Sequence, residues 1–317
     1  MPTVAESAGA HRGGLGRWWV YQRERFPIVA HGLIIAAFSS SAVSYSALLR
    51  GARRFPAPST LIAAFLSSFL FFLLLRICDE FKDAEEDARY RPYRPVPRGL
   101  VTLRDLAWLA VLCALVQAAL AAWLMPRLLV LLVLEWCWLA LMAREFFVSA
   151  WLRKRPVHYL WSHMLILPLM DFYLSAWDWA PSGGPPHGLA WLLGVSFLNG
   201  VVIEIGRKTR APADEEAGVE TYSALWGRAR AIAVWLAAIV TTAVLALAAA
   251  RRIQFAGTVA IVVGMLLALV IASAYSFLRS PEKGRGKRIE TAAGVWTLIL
   301  YTSLGLLPMA LRAWSGR

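Results

Sequence analysis

The chain has 317 residues, 59% of them hydrophobic and only 17% charged, with a mean hydropathy of +0.55. A water-soluble domain of this length would carry nearer a quarter charged residues, so the composition argues for an integral membrane protein. The net charge of +13 does not point to nucleic acid, because the basic residues sit in short loops between apolar runs, where anionic lipid accounts for them.

Residues 1–25 form a polar, basic N-terminal segment. Met1 to Gly16 is Gly-rich and predicts no cleavable signal peptide. Residues 26–317 hold no evident linker and read as a single transmembrane domain. Apolar runs of spanning length lie at 26–49, 58–78, 104–124, 128–148, 157–177, 187–206, 229–250, 255–278 and 291–311. The expected fold is all-α: a polytopic membrane bundle of about nine transmembrane helices around a central cavity. Counted over alternate loops, 25 of the 33 Lys and Arg residues fall on one side. That asymmetry places the N-terminus and those loops in the cytoplasm and the C-terminus on the opposite face.

The connection after the second run is the densest in charge. Arg76 to Gly99 reads RICDEFKDAEEDARYRPYRPVPRG and follows the uncharged run Pro58 to Leu75. Asp79, Asp83 and Asp87 recur every four residues. If the helix continues through them, the three carboxylates share one face, about 6 Å apart along the axis. Such a row can hold a hard divalent cation, since Mg²⁺ takes oxygen ligands and bridges carboxylates to phosphates. The competing reading is a solvated helix end laced with i,i+4 ion pairs. Beyond it, Pro95, Pro97 and Gly99 break the chain, and Thr102 with Asp105 resembles a capping box for the third run.

Further along, Glu135, His163, Asp171 and Asn199 lie within apolar runs. Intramembrane polar groups of this kind either join helices or handle protons and acceptor hydroxyls. PSGGPP at 181–186 is a turn on the external side. Trp18, Trp19, Trp151, Trp177, Trp179 and Trp314 fall at helix ends and read as an interfacial belt. Trp108, Trp136, Trp138, Trp161, Trp235 and Trp296 lie deeper. Cys78, Cys113 and Cys137 have no metal-binding or disulfide spacing and read as packing residues. A second acidic connection, with Glu204, Asp214, Glu215, Glu216 and Glu220, falls on the same side as the first. Two acidic loops on one face, one from each half of the chain, point to a shared cation site.

DEFKDAEED followed by RPYRPVPRG resembles the first aspartate-rich motif of the UbiA superfamily of intramembrane prenyltransferases, NxxxDxxxD followed by an RPxPxG turn. Asp79 stands where Asn is usual, Asp83 and Asp87 match, and Arg94, Pro95, Pro97 and Gly99 match the turn. The second motif of that family, DxxxD, is altered here. Glu204 takes the first position, Lys208 stands four residues later, and Asp214, with Glu215 as its substitute, best matches the second carboxylate. Thr221, Tyr222, Ser223 and Gly227 resemble the helix start that follows.

The resemblance implies a Mg²⁺-dependent enzyme that ionises a prenyl diphosphate and transfers the isoprenoid to an aromatic or lipid acceptor. Asp79, Asp83, Asp87, Glu204 and Asp214 would hold the metal. Arg91, Arg94, Lys154, Arg155, Arg207 and Lys208 would bind the diphosphate. Glu135 or Asn199 would orient an acceptor or take the final proton. A terpene cyclase of the same superfamily is the alternative, and a non-enzymatic transporter or lipid-binding protein the second alternative.

Overall fold

In hydrocarbon every backbone N–H and C=O must be bonded within its own segment, so apolar runs of this kind span as helices. The computed structural model describes residues 14–216 and 218–315, and their regular structure is helical throughout. In chain order the α-helices are α1 (Gly16–Arg25), α2 (Ile28–Leu49), α3 (Pro58–Lys82), α4 (Ala84–Tyr90), α5 (Leu103–Leu124), α6 (Leu128–Ala143), α7 (Ser149–Arg153) and α8 (Pro156–Met164). They continue as α9 (Ile166–Trp179), α10 (Leu189–Arg207), α11 (Tyr222–Trp226), α12 (Arg228–Arg252), α13 (Ala256–Arg279), α14 (Arg285–Leu304) and α15 (Leu306–Ser315).

Among the described residues seven stretches are long and apolar enough to cross a membrane: α2, α3, α5, α10, α12, α13, and α14 taken with α15. The other two expected spans are irregular. The fourth is the shorter α6, which stops at Ala143 instead of 148 and runs into a left-handed turn at Glu145–Phe147. The fifth is divided between α8 and α9. Pro168 explains the division, because its ring occupies the place of a donor and clashes with the carbonyl four residues back, which belongs to Met164, the last residue of α8. Pro308 acts in the same way on Leu304, where α14 gives way to α15.

Lipid supplies no hydrophobic drive between helices, so close packing of small residues and hydrogen bonds between helices hold the bundle. On α2 the residues Ser39, Ser41, Ser44 and Ser46 are all buried. A Cβ at Gly305 would collide with the Ser41 backbone, so the break between α14 and α15 lies directly against α2. Across the interior Tyr173 on α9 shares a hydrogen bond with Ser67 on α3 (2.8 Å), and Gln117 on α5 donates to the Ser67 carbonyl (2.9 Å). Tyr301 on α14 donates to Asp171 on α9 (2.7 Å). Bonds of this kind contribute about 0.6 kcal/mol each on average, so their number matters more than any one of them.

The tryptophans depart from the expected belt. Trp19, Trp151 and Trp314 are exposed, but Trp177 and Trp179 are buried. Trp179 donates to Ser175 one turn earlier and packs on Phe172. Trp235 and Trp296 have no accessible surface and bond to Val202 O and Asn199 on α10, so they join helices and do not line open space.

Contacts sort the connections into two ends. At one end Arg50 forms a two-pronged pair with Asp178 (2.7 and 2.9 Å), Tyr45 donates to Ala249 O, and Arg312 donates to the carbonyls of Leu48, Ala52 and Ile253. The other end gathers α1, the C-terminus of α3, α4, the start of α8, the C-terminus of α10 and the two loops beyond it.

Candidate active site

The three aspartates keep one helical register although the helix is broken between them. α3 ends at Lys82 and α4 begins at Ala84, with Asp83 at the join (φ −93°, ψ 5°). The backbone ladder nevertheless runs through: Asp83 N–H donates to Asp79 O (2.9 Å), Asp87 N–H to Asp83 O (2.8 Å) and Arg91 N–H to Asp87 O (2.9 Å). The expected one-turn spacing is therefore present. Each carboxylate has a different environment. Asp79 is half-exposed and paired with Arg76 (2.6 Å). Asp87 is buried between Arg94 and Arg91, whose Nε lies 3.2 Å away. Asp83 has no side-chain partner among the described residues. Burial pushes its carboxyl above the usual carboxylate range, Lys82 opposes this, and Asp79 and Asp87 add to it.

Arg94 opens the turn that follows. Arg98 N–H bonds to Arg94 O, Gly99 N–H to Val96 O and Leu100 N–H to Pro95 O. Gly99 has φ +76°, a conformation that a Cβ makes costly, which is the reason for glycine at the end of this motif. Thr102 and Asp105 form the full capping box at α5, each side chain bonded to the other residue's backbone N–H.

Opposite stands the end of α10. Glu204 is buried and holds two cations, Arg207 and Lys208 (Nζ at 3.1 Å). The loop beyond folds back on this end, with Tyr222 N–H donating to Lys208 O (2.9 Å). Lys208 Nζ lies 5.9 Å from the centre of the Tyr222 ring and 5.6 Å from that of Tyr159. Lys82, from α3, donates to the Tyr159 hydroxyl (2.8 Å) and lies 5.5 Å from the same ring. Tyr159 on α8 is thus the post at which α3 and α10 meet, and it stacks on His163. The Arg207 side chain keeps 53% of its surface although it is paired with Glu204. At Tyr159 the acidic stretch of α3 and α4 thus approaches the cationic end of α10, through Lys82 on one side and Lys208 on the other.

The remaining expected residues lie elsewhere or are already engaged. Asp214 accepts from Gly284 N–H (2.7 Å), which ties the loop after α10 to the start of α14. Glu215 accepts from Thr221 and Ser223. Arg155 stacks on Trp151, and Lys154 is exposed with no ion pair among the described residues. Asn199 is closed off beneath Trp296, and Glu135 is buried with one carboxyl oxygen unbonded. Lys82 and Tyr159 were not singled out from sequence. A lysine between two motif aspartates carried a signal, but Tyr159 could be found only through its position in space.

Mg²⁺ is a hard cation that takes oxygen donors. Hard carboxylate oxygens in one register, with Asp83 unpaired and Asp79 accessible, suit it on α3 and α4. No group of three Asp, Glu, His or Cys residues among those described forms a ready-made metal shell, and on α10 the carboxylate is already neutralised by Arg207 and Lys208. The carboxylates open to an ion are Asp83 and the half-exposed Asp79; Asp87 and Glu204 are each held between two cations.

No curated protein matches the chain. Two solved structures share its fold. The apo structure of a UbiA homolog from Aeropyrum pernix K1 superposes with a TM-score of 0.68 at 14% identity, covering 86% of this chain and 96% of its own. A structure of digeranylgeranylglyceryl phosphate synthase gives 0.58 at 14% identity, covering 93% and 99%. Identity this low speaks to the fold alone. A model of the UbiA prenyltransferase family, however, matches residues 37–298, a stretch that takes in both motif regions, the Tyr159 post and all but the ends of the bundle. By that match the chain is a member of the UbiA prenyltransferase family.

Proposed function

We propose that this protein is a Mg²⁺-dependent membrane prenyltransferase that ionises a prenyl diphosphate and passes the isoprenoid to an aromatic or lipid acceptor. The observation that carries the reading is the approach of the acidic stretch of α3 and α4 to the cationic end of α10 at Tyr159. A diphosphate needs both: metal-bearing carboxylates on one side and direct hydrogen-bond donors on the other. Asp79 and Asp83 would hold the ion, with Asp87 fixed beside them, and the ion when bound would give Lewis-acid assistance to diphosphate departure.

The chain's own residues do the rest. Lys82, Arg207 and Lys208 hold phosphate oxygens and take up the charge that develops on the leaving group. Glu204 fixes the two cations of α10, and Tyr159 and Tyr222 keep Lys208 over their ring faces. Arg91 and Arg94 hold Asp87 in place. The apolar helix surfaces below the site keep water from the allylic cation. Asn199 joins α10 to α14 through Trp296, and in this reading neither it nor Glu135, both closed to solvent, touches the acceptor. The Lys and Arg count supports a cytoplasmic site with the C-terminus on the opposite face.

Product analysis tests the reading. Purified protein with Mg²⁺ is supplied with prenyl diphosphates of several lengths, with and without a phenolic or lipid acceptor. Transfer predicts an acceptor-dependent prenylated product. A hydrocarbon formed without acceptor would assign the protein to cyclisation, and no diphosphate release from any donor would refute both.

A further inference from the structure

Three ion pairs fasten α1 to the charged end of the bundle. Arg17 pairs with Asp105 at the cap of α5 (3.1 Å), Glu24 with Arg98 in the turn after α4 (2.9 Å), and Arg25 with Glu80 on α3. The first two are part-exposed, and pairs of that kind contribute little singly. The third differs in kind. The side chains of Arg25 and Glu80 are 10% and 1% exposed, and among the described residues Glu80 has no other ion-pair partner. One turn before Arg25, Tyr21 is buried in a cluster with Ile77, Val101 and Leu106 and lies within reach of the Glu80 charge. Ile77 and Glu80 are three residues apart, so a single face of α3 is gripped by α1. Asp79 is about 100° around the helix from Glu80, so a turn of this end of α3 redirects both.

We infer that α1 is a positioning element for the aspartates: Arg25, acting through the buried Glu80, sets the rotation of the last turn of α3 and with it the direction of Asp79 and Asp83. This rests on the Mg²⁺ reading above. A carboxylate as deeply buried as Glu80 is strongly unfavourable without its counter-ion. Without Arg25 it must reach water, and the short way is a turn of the end of α3, which carries Asp79 and Asp83 out of register with the cationic end of α10. A neutral residue at position 80 removes that demand. Arg25 and Glu80 themselves touch neither metal nor substrate.

The test uses the full chain in detergent and Mn²⁺ as probe, with binding read by electron paramagnetic resonance and folding by thermal unfolding. Arg25→Met is expected to weaken Mn²⁺ binding about 10-fold or more, the usual effect of removing a support behind a metal ligand. The double variant Arg25→Met/Glu80→Gln is expected to recover most of that loss. Wild-type affinity in Arg25→Met overturns the inference, and so does a double variant no better than the single one, because the loss would then come from α1 packing. Should Arg25→Met fail to fold, the neutral Arg25→Gln replaces it: weaker Mn²⁺ binding at an unchanged melting temperature supports the role, and unchanged binding overturns it. Failure of the wild type to bind Mn²⁺ refutes the metal assignment itself and leaves α1 nothing to position.

Discussion

Glu204 offers the sharpest contrast between two roles, because sequence pattern makes it a metal ligand and the geometry makes it an anchor for cations. Glu204→Gln separates them at almost constant volume. The carboxylate now accepts from both Arg207 and Lys208 at a side-chain exposure of 6%. An amide oxygen carries no charge and can keep one of those donors. The loss is then about one charge-assisted hydrogen bond, roughly 1.5–3 kcal/mol, which corresponds to about a 10- to 100-fold weakening of whatever the freed cation was oriented to bind. The assay is steady-state prenyl transfer at saturating acceptor, with prenyl diphosphate and Mg²⁺ titrated separately. An anchor predicts a raised KM for the diphosphate and an unchanged Mg²⁺ concentration at half-maximal rate. The reasoning is refuted if the Mg²⁺ requirement shifts instead while that KM stays at the wild-type value.

Other substitutions probe the site and the bundle separately. Lys82→Met removes the ammonium that bonds Tyr159, and the KM for prenyl diphosphate should rise about 10-fold or more with little change in the unfolding temperature. Tyr301→Phe leaves the fully buried Asp171 without its hydroxyl donor; thermal unfolding should show a loss of about 1–3 kcal/mol, with KM unchanged because the pair lies outside the candidate site. Gly305→Val drives a side chain into the Ser41 backbone and should destabilise by about 1–3 kcal/mol, whereas Gly264→Val, with no atom near its added Cβ, should melt as the wild type does.

Much of the bundle was legible because lipid restricts the chain to helices. Apolar run length therefore located every span to within a few residues, save the shorter α6 and the offset start of α14. The breaks within 157–177 and 291–311 were not read from the sequence, although Pro168 and Pro308 mark them four residues on, since a proline disturbs the carbonyl of the preceding turn and not its own position. The capping box at Thr102 and the ladder through Asp79, Asp83 and Asp87 followed from local spacing alone. The pairing of charges did not. Nothing local shows that Arg25 buries Glu80, that Asp214 reaches to Gly284, or that Lys82 and Lys208 converge on Tyr159, because each contact joins residues tens of positions apart. The left-handed turn at Glu145–Phe147 was equally hidden, since these residue types do not favour positive φ; Phe146 sits there against Trp138 and His163. Burial of Trp177 and Trp179 likewise depends on which helices meet at the ends of the bundle.

The central claim is that the aspartates of α3 and α4 enable diphosphate departure, and among the described residues Asp83 is the one of the three without a side-chain partner. The most direct measurement is diphosphate release from a prenyl diphosphate by purified wild type and Asp83→Ala across a Mg²⁺ titration, with folding checked by thermal unfolding. The account predicts Mg²⁺-dependent release by the wild type and its loss in the folded variant at every Mg²⁺ concentration. Release by Asp83→Ala at the wild-type rate, with the same Mg²⁺ dependence, would contradict it.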